Sequence, residues 1–180
     1  MLAQQSPATR VAGVIEKIDG SMLTLKSDDG PLNVKLRDDL QVLAIGNGSL
    51  ADVKPGRFIG VGAMPQPDGS QRAIQVMIFA EALRGLGEGH RPWDRPGATM
   101  TNATVAETVA SVDGEIVMVK YKDGEKKIVI PPDSVIRVLL PADRNEVKVG
   151  AAVAVTGTRN PDGSVEAARM SVGRDGVVPR

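Results

Sequence analysis

Short runs of alternating apolar and polar residues, separated by Asp-Gly turns, fill most of the chain. Leu23 and Leu25, for example, alternate with polar residues before the turn at Asp29-Gly30. Alternation with a period of two indicates strands with one buried face, and Gly accepts the positive φ that a tight hairpin turn requires. The pattern therefore predicts an all-β protein built from hairpins.

The turns recur at a fixed separation of 94 positions. The recurring motifs are Asp19-Gly20 with Asp113-Gly114, Asp29-Gly30 with Asp123-Gly124, and Pro67-Asp68-Gly69-Ser70 with Pro161-Asp162-Gly163-Ser164. When residues 11–80 are aligned with 105–174 without a gap, 17 of the 70 pairs are identical. Self-similarity at a fixed period indicates duplication of one structural unit. We therefore expect two copies with the same strand order.

Each copy predicts five strands, three in a meander and two after a longer connection. In the first copy the third strand is expected to end at Arg37-Asp38-Asp39, and the last two strands are expected at about 57–64 and 71–79. This strand count and spacing are typical of a small oligonucleotide/oligosaccharide-binding (OB) barrel. The predicted fold is two tandem OB-like five-stranded barrels from an internal duplication. The predicted ranges are a disordered or post-signal N-terminus at 1–9, a first barrel at 10–83, a Gly/Pro linker at 84–102, a second barrel at 103–173 and a C-terminal tail at 174–180.

The linker contains the most unusual residues of the chain. Its segment 84–97 contains four glycines and two prolines, which exclude a regular strand or helix interior, and a short helical turn is expected just before it at Ala80–Leu83. It also carries the only His and the only Trp. Side chains fill a barrel this small, so we expect a ligand to bind in a cleft between the barrels, roofed by the linker. The candidate ligand-binding residues are His90, Arg91, Trp93 and Asp94.

Composition narrows the classes of partner. Lys plus Arg equals Asp plus Glu, at 22 each, so the chain lacks the positive field of a nucleic-acid-binding protein. Single-strand binders also stack bases on exposed aromatic residues, and this chain has only Phe58, Phe79, Trp93 and Tyr121. OB-type binding of single-stranded nucleic acid is therefore a disfavoured alternative. The expected partner is a protein, an envelope polymer or a small ligand, and a homodimer through open strand edges is compatible with the pattern.

Neither an enzyme nor a cofactor is expected. A Ser/His/Asp triad would have to use His90, and no Gly-x-Ser-x-Gly elbow is present. The sharpest alternative is soft-metal binding, because thioether and imidazole groups suit Cu(I) and His90 and Met100 lie close to Trp93 in sequence. The alternative metal ligands are His90 and Met100. No apolar run approaches the roughly 18–20 residues of a membrane span.

The motif Val-x-Gly-x-Ile-x-x-Ile-Asp-Gly, which begins at Val11, is followed by Val53-Lys54-Pro55-Gly56 and Pro67-Asp68-Gly69-Ser70. This combination resembles a bacterial family catalogued as domain of unknown function 5666. The resemblance covers 11–80 and 105–172 and implies exported OB-like barrels, often in tandem, without an established activity. The segment Leu2–Pro7 is similar to the end of a signal peptide with a polar mature terminus. Export to the periplasm is therefore expected, with a cytoplasmic protein as the alternative.

Overall fold

The computed structural model describes residues 8–93, 95–112 and 114–180. The structure is all-β, as predicted, with 63% of the residues in strands and no α-helix in the described part. Three short 3₁₀ turns lie between strands, at Leu50–Asp52, Glu81–Leu83 and Arg144–Glu146. The strands are β1 (Thr9–Asp19), β2 (Met22–Ser27), β3 (Gly30–Asn47), β4 (Phe58–Pro65), β5 (Gln71–Phe79), β6 (Gly89–Pro92), β7 (Thr99–Ser111), β8 (Gly114–Tyr121), β9 (Gly124–Ile130), β10 (Val135–Pro141), β11 (Ala152–Arg159) and β12 (Val165–Gly173).

The chain divides into two compact units, and each unit takes strands from both sequence copies. Unit 1 contains the chain up to Gly46 together with Pro141–Arg180, and unit 2 contains Asn47–Leu140. Unit 1 therefore combines the β1–β3 meander of the first copy with β11 and β12 of the second. Unit 2 combines β4 and β5 of the first copy with the β7–β10 region of the second. This division differs from the sequential domains 10–83 and 103–173 that the repeat led us to expect.

Unit 1 contains a closed five-stranded barrel. β2 pairs with β1 and β3, and β11 pairs with β1 and β12, all in antiparallel orientation. A parallel pairing of β12 with β3 closes the ring. Inward-facing residues from all five strands form one core, which includes the fully buried Ile15, Leu25, Val34, Val155 and Met170. The alternation seen in the sequence is therefore the alternation between this core and the barrel exterior.

Strand β3 is longer than the sequence predicts. It runs over 18 residues and passes through Arg37-Asp38-Asp39, where the third strand was expected to end. Arg37 and Asp39 form an exposed ion pair, with 2.8 Å between Nε and Oδ1. The ladder to β12 accommodates the polar triplet, because Leu36 pairs with Ala167 whereas Gln41 pairs with Arg169. The triplet is thus an irregularity within a continuous strand, because the apolar residues 42–45 that follow it are buried again.

Unit 2 repeats the pairings of unit 1, with β9 and β10 together in the place of β3, and adds one strand. β4 pairs with β5 and β7, and β8 pairs with β7 and β9. A parallel pairing of two residue pairs joins β5 to β9, and β10 continues beside β5. The core contains the fully buried Ile59, Val61, Val76, Val117 and Ile128. The remaining strand, β6, pairs with the first residues of β7.

The segment 84–102 is only partly the irregular linker that its Gly and Pro content predicts. Glu81–Leu83 forms the short helical turn that was expected just before it. Gly89–Pro92, however, is a strand, and Thr99 already begins β7. Gly89 has a φ of +137°, which favours glycine and lets the chain enter the strand from a turn. Pro92 lies at the last position of β6, where a missing N–H is tolerated.

Candidate functional site

The pairing of β6 with β7 sets the direction of the candidate side chains. His90 pairs with Thr101, and Arg91 pairs with Met100. Directly opposed residues of an antiparallel ladder share a face, and successive residues alternate between faces. His90 therefore points to the same side as Thr101, whereas Arg91 and Met100 point to the other side. The two candidate Cu(I) ligands, His90 and Met100, lie on opposite faces of the ladder and do not meet.

The side chain of His90 connects β6 to β7 and β8. Its Nδ1 lies 2.7 Å from Oγ1 of Thr101, and its ring stacks on Tyr121 with 6.4 Å between the ring centroids and 21° between the planes. Burial lowers the pKa of His90 below its usual 6.5, and the nearby ammonium of Lys126 lowers the pKa further. The imidazole is therefore neutral at neutral pH, and its described contacts are those of a side chain that holds a strand in place.

Trp93 lies on the opposite face of the same ladder, directly over β4. A Cβ added to Gly62 would lie 2.6 Å from Cζ3 of Trp93, so the indole occupies the space that a side chain on β4 would take. The backbone N–H of Trp93 donates a hydrogen bond of 3.0 Å to the carbonyl of Ala98, which closes a tight loop. Gly62 pairs with Met100, and Trp93 therefore shares the face of Met100 and Arg91.

A hollow of about 500 Å³ lies beside Trp93, with Pro92, Arg95 and Pro96 in its walls. The guanidinium carbon of Arg95 lies 5.2 Å from the centroid of the indole, within the range of a cation–π contact. Trp93 is half-buried, so part of the ring borders the hollow. The volume is in the range of small-ligand sites, and the walls combine apolar surface with one cation.

Side-chain hydrogen bonds hold the segment before β6 against the outer face of β7. Nδ2 of Asn102 donates to the carbonyl of Leu86 over 3.1 Å. Arg84 donates to Oγ1 of Thr104 over 3.3 Å and to the carbonyl of Gly56 over 2.5 Å. These contacts fix the chain that leads to the hollow, because they connect it to β7 and to Gly56, just before β4.

Of the three candidate ligand-binding residues that the structure describes, Arg91 and Trp93 share one face. Arg91 turns back and donates to the carbonyl of Gly87 over 2.8 Å, and His90 lies on the other face. Asp94 lies outside the described residues. That the four residues roof a cleft between two barrels stays a prediction.

Sequence reasoning missed Gly62, Arg95 and Pro96 as parts of the site. One signal was available for Gly62. It alternates with Gly60 in a strand, and glycine inside a strand often marks a close approach by another group. A Cβ on Gly60 would likewise lie 2.7 Å from Oδ1 of Asn102. Gly62 therefore leaves room on β4 for Trp93, and Gly60 leaves room for the side chain of Asn102 of β7.

Comparison with known proteins adds no relative to this picture. No protein-family model matches the chain, and no curated protein or solved structure is significantly similar to it. The resemblance of its turn motifs to domain of unknown function 5666 therefore stays a prediction. Across residues 8–93, 95–112 and 114–180, no three His, Asp or Glu side chains come together as a metal-binding group. The same part of the chain has no helix long and apolar enough to cross a membrane.

Proposed function

We propose that this protein is a non-catalytic binding module and that the hollow beside Trp93 is its ligand site. The observation that carries this proposal is the position of Trp93, the chain's only Trp. The indole is half-buried over a glycine of β4, beside a guanidinium and two prolines. Trp and Arg are the residue types that contribute most at binding surfaces, and a loop held by prolines loses little conformational entropy on binding.

The ligand class that we propose is a protein segment or an envelope polymer, bound by a module that is exported from a bacterial cell. The balanced charge of the chain favours these ligands over nucleic acid, which would require a basic surface. The fold that we propose is a pair of OB-like barrels from one duplication. The ring of unit 1 supports this proposal, since it has five strands, a meander of three from the first copy and two from the second copy.

Fluorescence of Trp93 tests the proposal, because no second Trp contributes to the emission. Soluble peptidoglycan fragments represent the envelope polymer, and a proline-containing decapeptide represents the protein segment. We expect one probe to give a saturable change in the intensity or wavelength of the emission. Arg95→Ala removes the cation beside the indole and should weaken that binding by about tenfold, which corresponds to about 1.4 kcal/mol.

Arg169→Ala is the matched control, because it removes an exposed guanidinium from unit 1, where it donates to Gln41, and leaves the hollow untouched. Its affinity for the probe should equal that of the unmodified protein. Equal losses in Arg95→Ala and Arg169→Ala would mean that the probe responds to charge alone. A Trp93 emission that no probe changes would contradict a ligand site at this hollow.

A further inference from the structure

The first strand of each ring is shifted relative to the sequence repeat. Lys26 of β2 and Lys120 of β8 lie 94 positions apart, as the repeat requires. Their partners Val14 and Thr104, however, lie only 90 positions apart. The residues Thr99–Asn102 at the start of β7 therefore correspond in the ladder to Thr9–Ala12 at the start of β1.

The two corresponding edges differ in what lies beside them. In unit 2, β6 pairs with Thr99–Asn102 and fills the edge beyond the end of β8. In the described part of unit 1, no strand lies beside Val11 and Ala12 at this edge. A groove of about 460 Å³ lies there instead, and its walls include Ser27, Asp28 and Leu32. We call this the β1 edge groove.

The backbone at the β1 edge groove is oriented to accept a strand. Ile15 uses its main-chain groups toward β11, because its N–H donates to Ala151 over 3.0 Å and its carbonyl accepts from Gly150 over 2.8 Å. Main-chain groups alternate between the two edges of a strand, and the β1–β11 register is regular from Thr9 to Val14. The N–H and carbonyl of Ala12 therefore point away from β11 and into the groove. Asn102, the counterpart of Ala12, faces Gly89 of β6.

The side chains around the groove leave room for a large apolar residue. In unit 2 the β6 residue opposite Thr101 is His90, which stacks on Tyr121. The repeat places Ser27 where the second copy has Tyr121, and Leu32 where it has Lys126. A strand residue opposite Val11 would point inward between the small Ser27 and the apolar Leu32, so an aromatic or large aliphatic side chain suits this position.

The charges at the two ends of the groove have opposite signs. Asp28 and Asp29 form the turn at the end of β2, beside Ala12. Arg159 lies at the other end, two residues beyond the partner of Thr9. A strand that runs antiparallel to β1, as β6 runs to β7, starts near the aspartates and ends near the arginine. Charge complementarity then favours a basic residue before the apolar one and an acidic residue after it.

We propose that the β1 edge groove binds an extended segment of a partner protein, which adds to unit 1 as a strand antiparallel to β1. The segment presents a basic residue to Asp28 and Asp29, a large apolar residue opposite Val11 and an acidic residue to Arg159. Main-chain hydrogen bonds to β1 supply affinity, and the side-chain positions supply specificity, as in other proteins that bind a peptide at a sheet edge.

A pair of synthetic peptides tests the proposal on the full chain. The probe is acetyl-Lys-Thr-Phe-Thr-Val-Glu-amide, and the matched control exchanges its Lys and Glu. We expect the probe to protect the Ala12 amide from hydrogen exchange, whereas the Val11 amide, which already points to β11, should change little. The control peptide should bind about tenfold more weakly, because both ends then meet a like charge. Equal binding of both peptides, or binding of neither, would overturn the proposal.

Two substitutions at one position separate strand addition from other binding modes. Ala12→Pro removes the N–H that points into the groove and leaves the N–H groups that donate to β11. The fold should therefore persist, whereas binding of the probe peptide should be lost. Ala12→Val retains the N–H and should retain binding. Circular dichroism and the melting temperature check that both variants fold. An Ala12→Pro variant that binds the probe like Ala12→Val would exclude an added strand.

Hydrogen exchange without peptide tests self-association at the same edge. Protection of the Ala12 amide that rises with protein concentration would contradict the proposal, because it would assign the edge to a second copy of the chain.

Discussion

His90 is a residue whose protonation the fold constrains. Burial and the charge of Lys126 hold its pKa below the 6.5 of a free imidazole. As the pH falls through 6.5, the unfolded chain takes up this proton before the folded chain does, so the stability of the fold decreases. Below the pKa of the folded state the imidazole is protonated in both states, so the stability decreases no further on account of His90. We expect the single imidazole resonance in the proton NMR spectrum to titrate below pH 6.5, and we expect His90→Gln to remove this part of the acid destabilisation.

Lys126→Ala provides the test of the cause, because it removes the ammonium and leaves the burial. The pKa of His90 should rise in this variant but stay below 6.5, since burial makes the larger contribution. Lys127→Ala is the control, because Lys127 is the neighbouring lysine and has no part in the shift. A pKa of 6.5 or higher in the unmodified protein would contradict the environment described for His90.

The turn aspartates show how far single residues could be predicted. Oδ1 of Asp68 accepts hydrogen bonds from the N–H of Ser70 over 2.9 Å and from its hydroxyl over 2.6 Å, and Asp162 repeats both with Ser164. The hydroxyl and N–H hold the pKa of both carboxyls below the usual value. The Pro-Asp-Gly-Ser motif predicted this turn because its Gly accepts positive φ. Asp39, where the third strand was expected to end, is not followed by a Gly. It forms no turn and lies within β3.

At the scale of the element, the position of Trp93 depends on Gly62 of β4, because a residue with a side chain would occupy the space of the indole. Gly62→Ala places a Cβ 2.6 Å from the indole, so the ring has to leave its seat on β4. We expect a red shift of the Trp93 emission and a loss of about 1–3 kcal/mol of stability, the usual cost of overpacking. Gly46→Ala is the matched control, because its Cβ meets no atom within 4 Å. An unshifted emission in Gly62→Ala would mean that Trp93 does not rest on β4.

The elements that the sequence predicted are those whose pattern is local. Alternating apolar residues and Asp-Gly turns predicted the hairpins of both meanders, but not the continuation of β3 past Arg37-Asp38-Asp39. β6 was missed because Gly-His-Arg-Pro has no apolar alternation, and its pairing with Thr99–Asn102 depends on a neighbouring edge. The shift of β1 relative to β7 was also missed. Both ladders have one bulge at the same place, after Ile15 in β1 and after Val105 in β7, so the bulges do not produce the shift. The ladders differ at their turns, because the first ends with the pair Asp19 and Met22 whereas the second ends with the pair Ser111 and Gly114.

At the scale of the whole molecule, the sequence predicted the order of the strands along the chain but not which copies supply each compact unit. The two copies carry the same inward pattern, so β3 finds an apolar partner in β12 of the second copy as readily as in β5 of its own. The continuous run of β3 through Asp39 leaves no turn that would fold the chain back at that point. The candidate site was likewise predicted only in part. Composition alone identified His90 and Trp93 as unusual residues. The position of Gly62 beneath Trp93, in contrast, depends on the pairing of β4 with β7, which are far apart in sequence.

The exchange of strands predicts how the chain behaves when it is cut between Gly85 and Glu88. The first fragment carries β1–β5 and the second carries β6–β12, so each unit needs strands from both. We expect the fragments to form a one-to-one complex on mixing, with strand content by circular dichroism and a mass by light scattering that match the intact chain. Ala167→Asp, which buries a charge opposite Leu36, should weaken the complex, whereas Thr158→Asp on the exposed face should not. Two fragments that fold as separate monomers and ignore each other would show that each copy closes its own barrel.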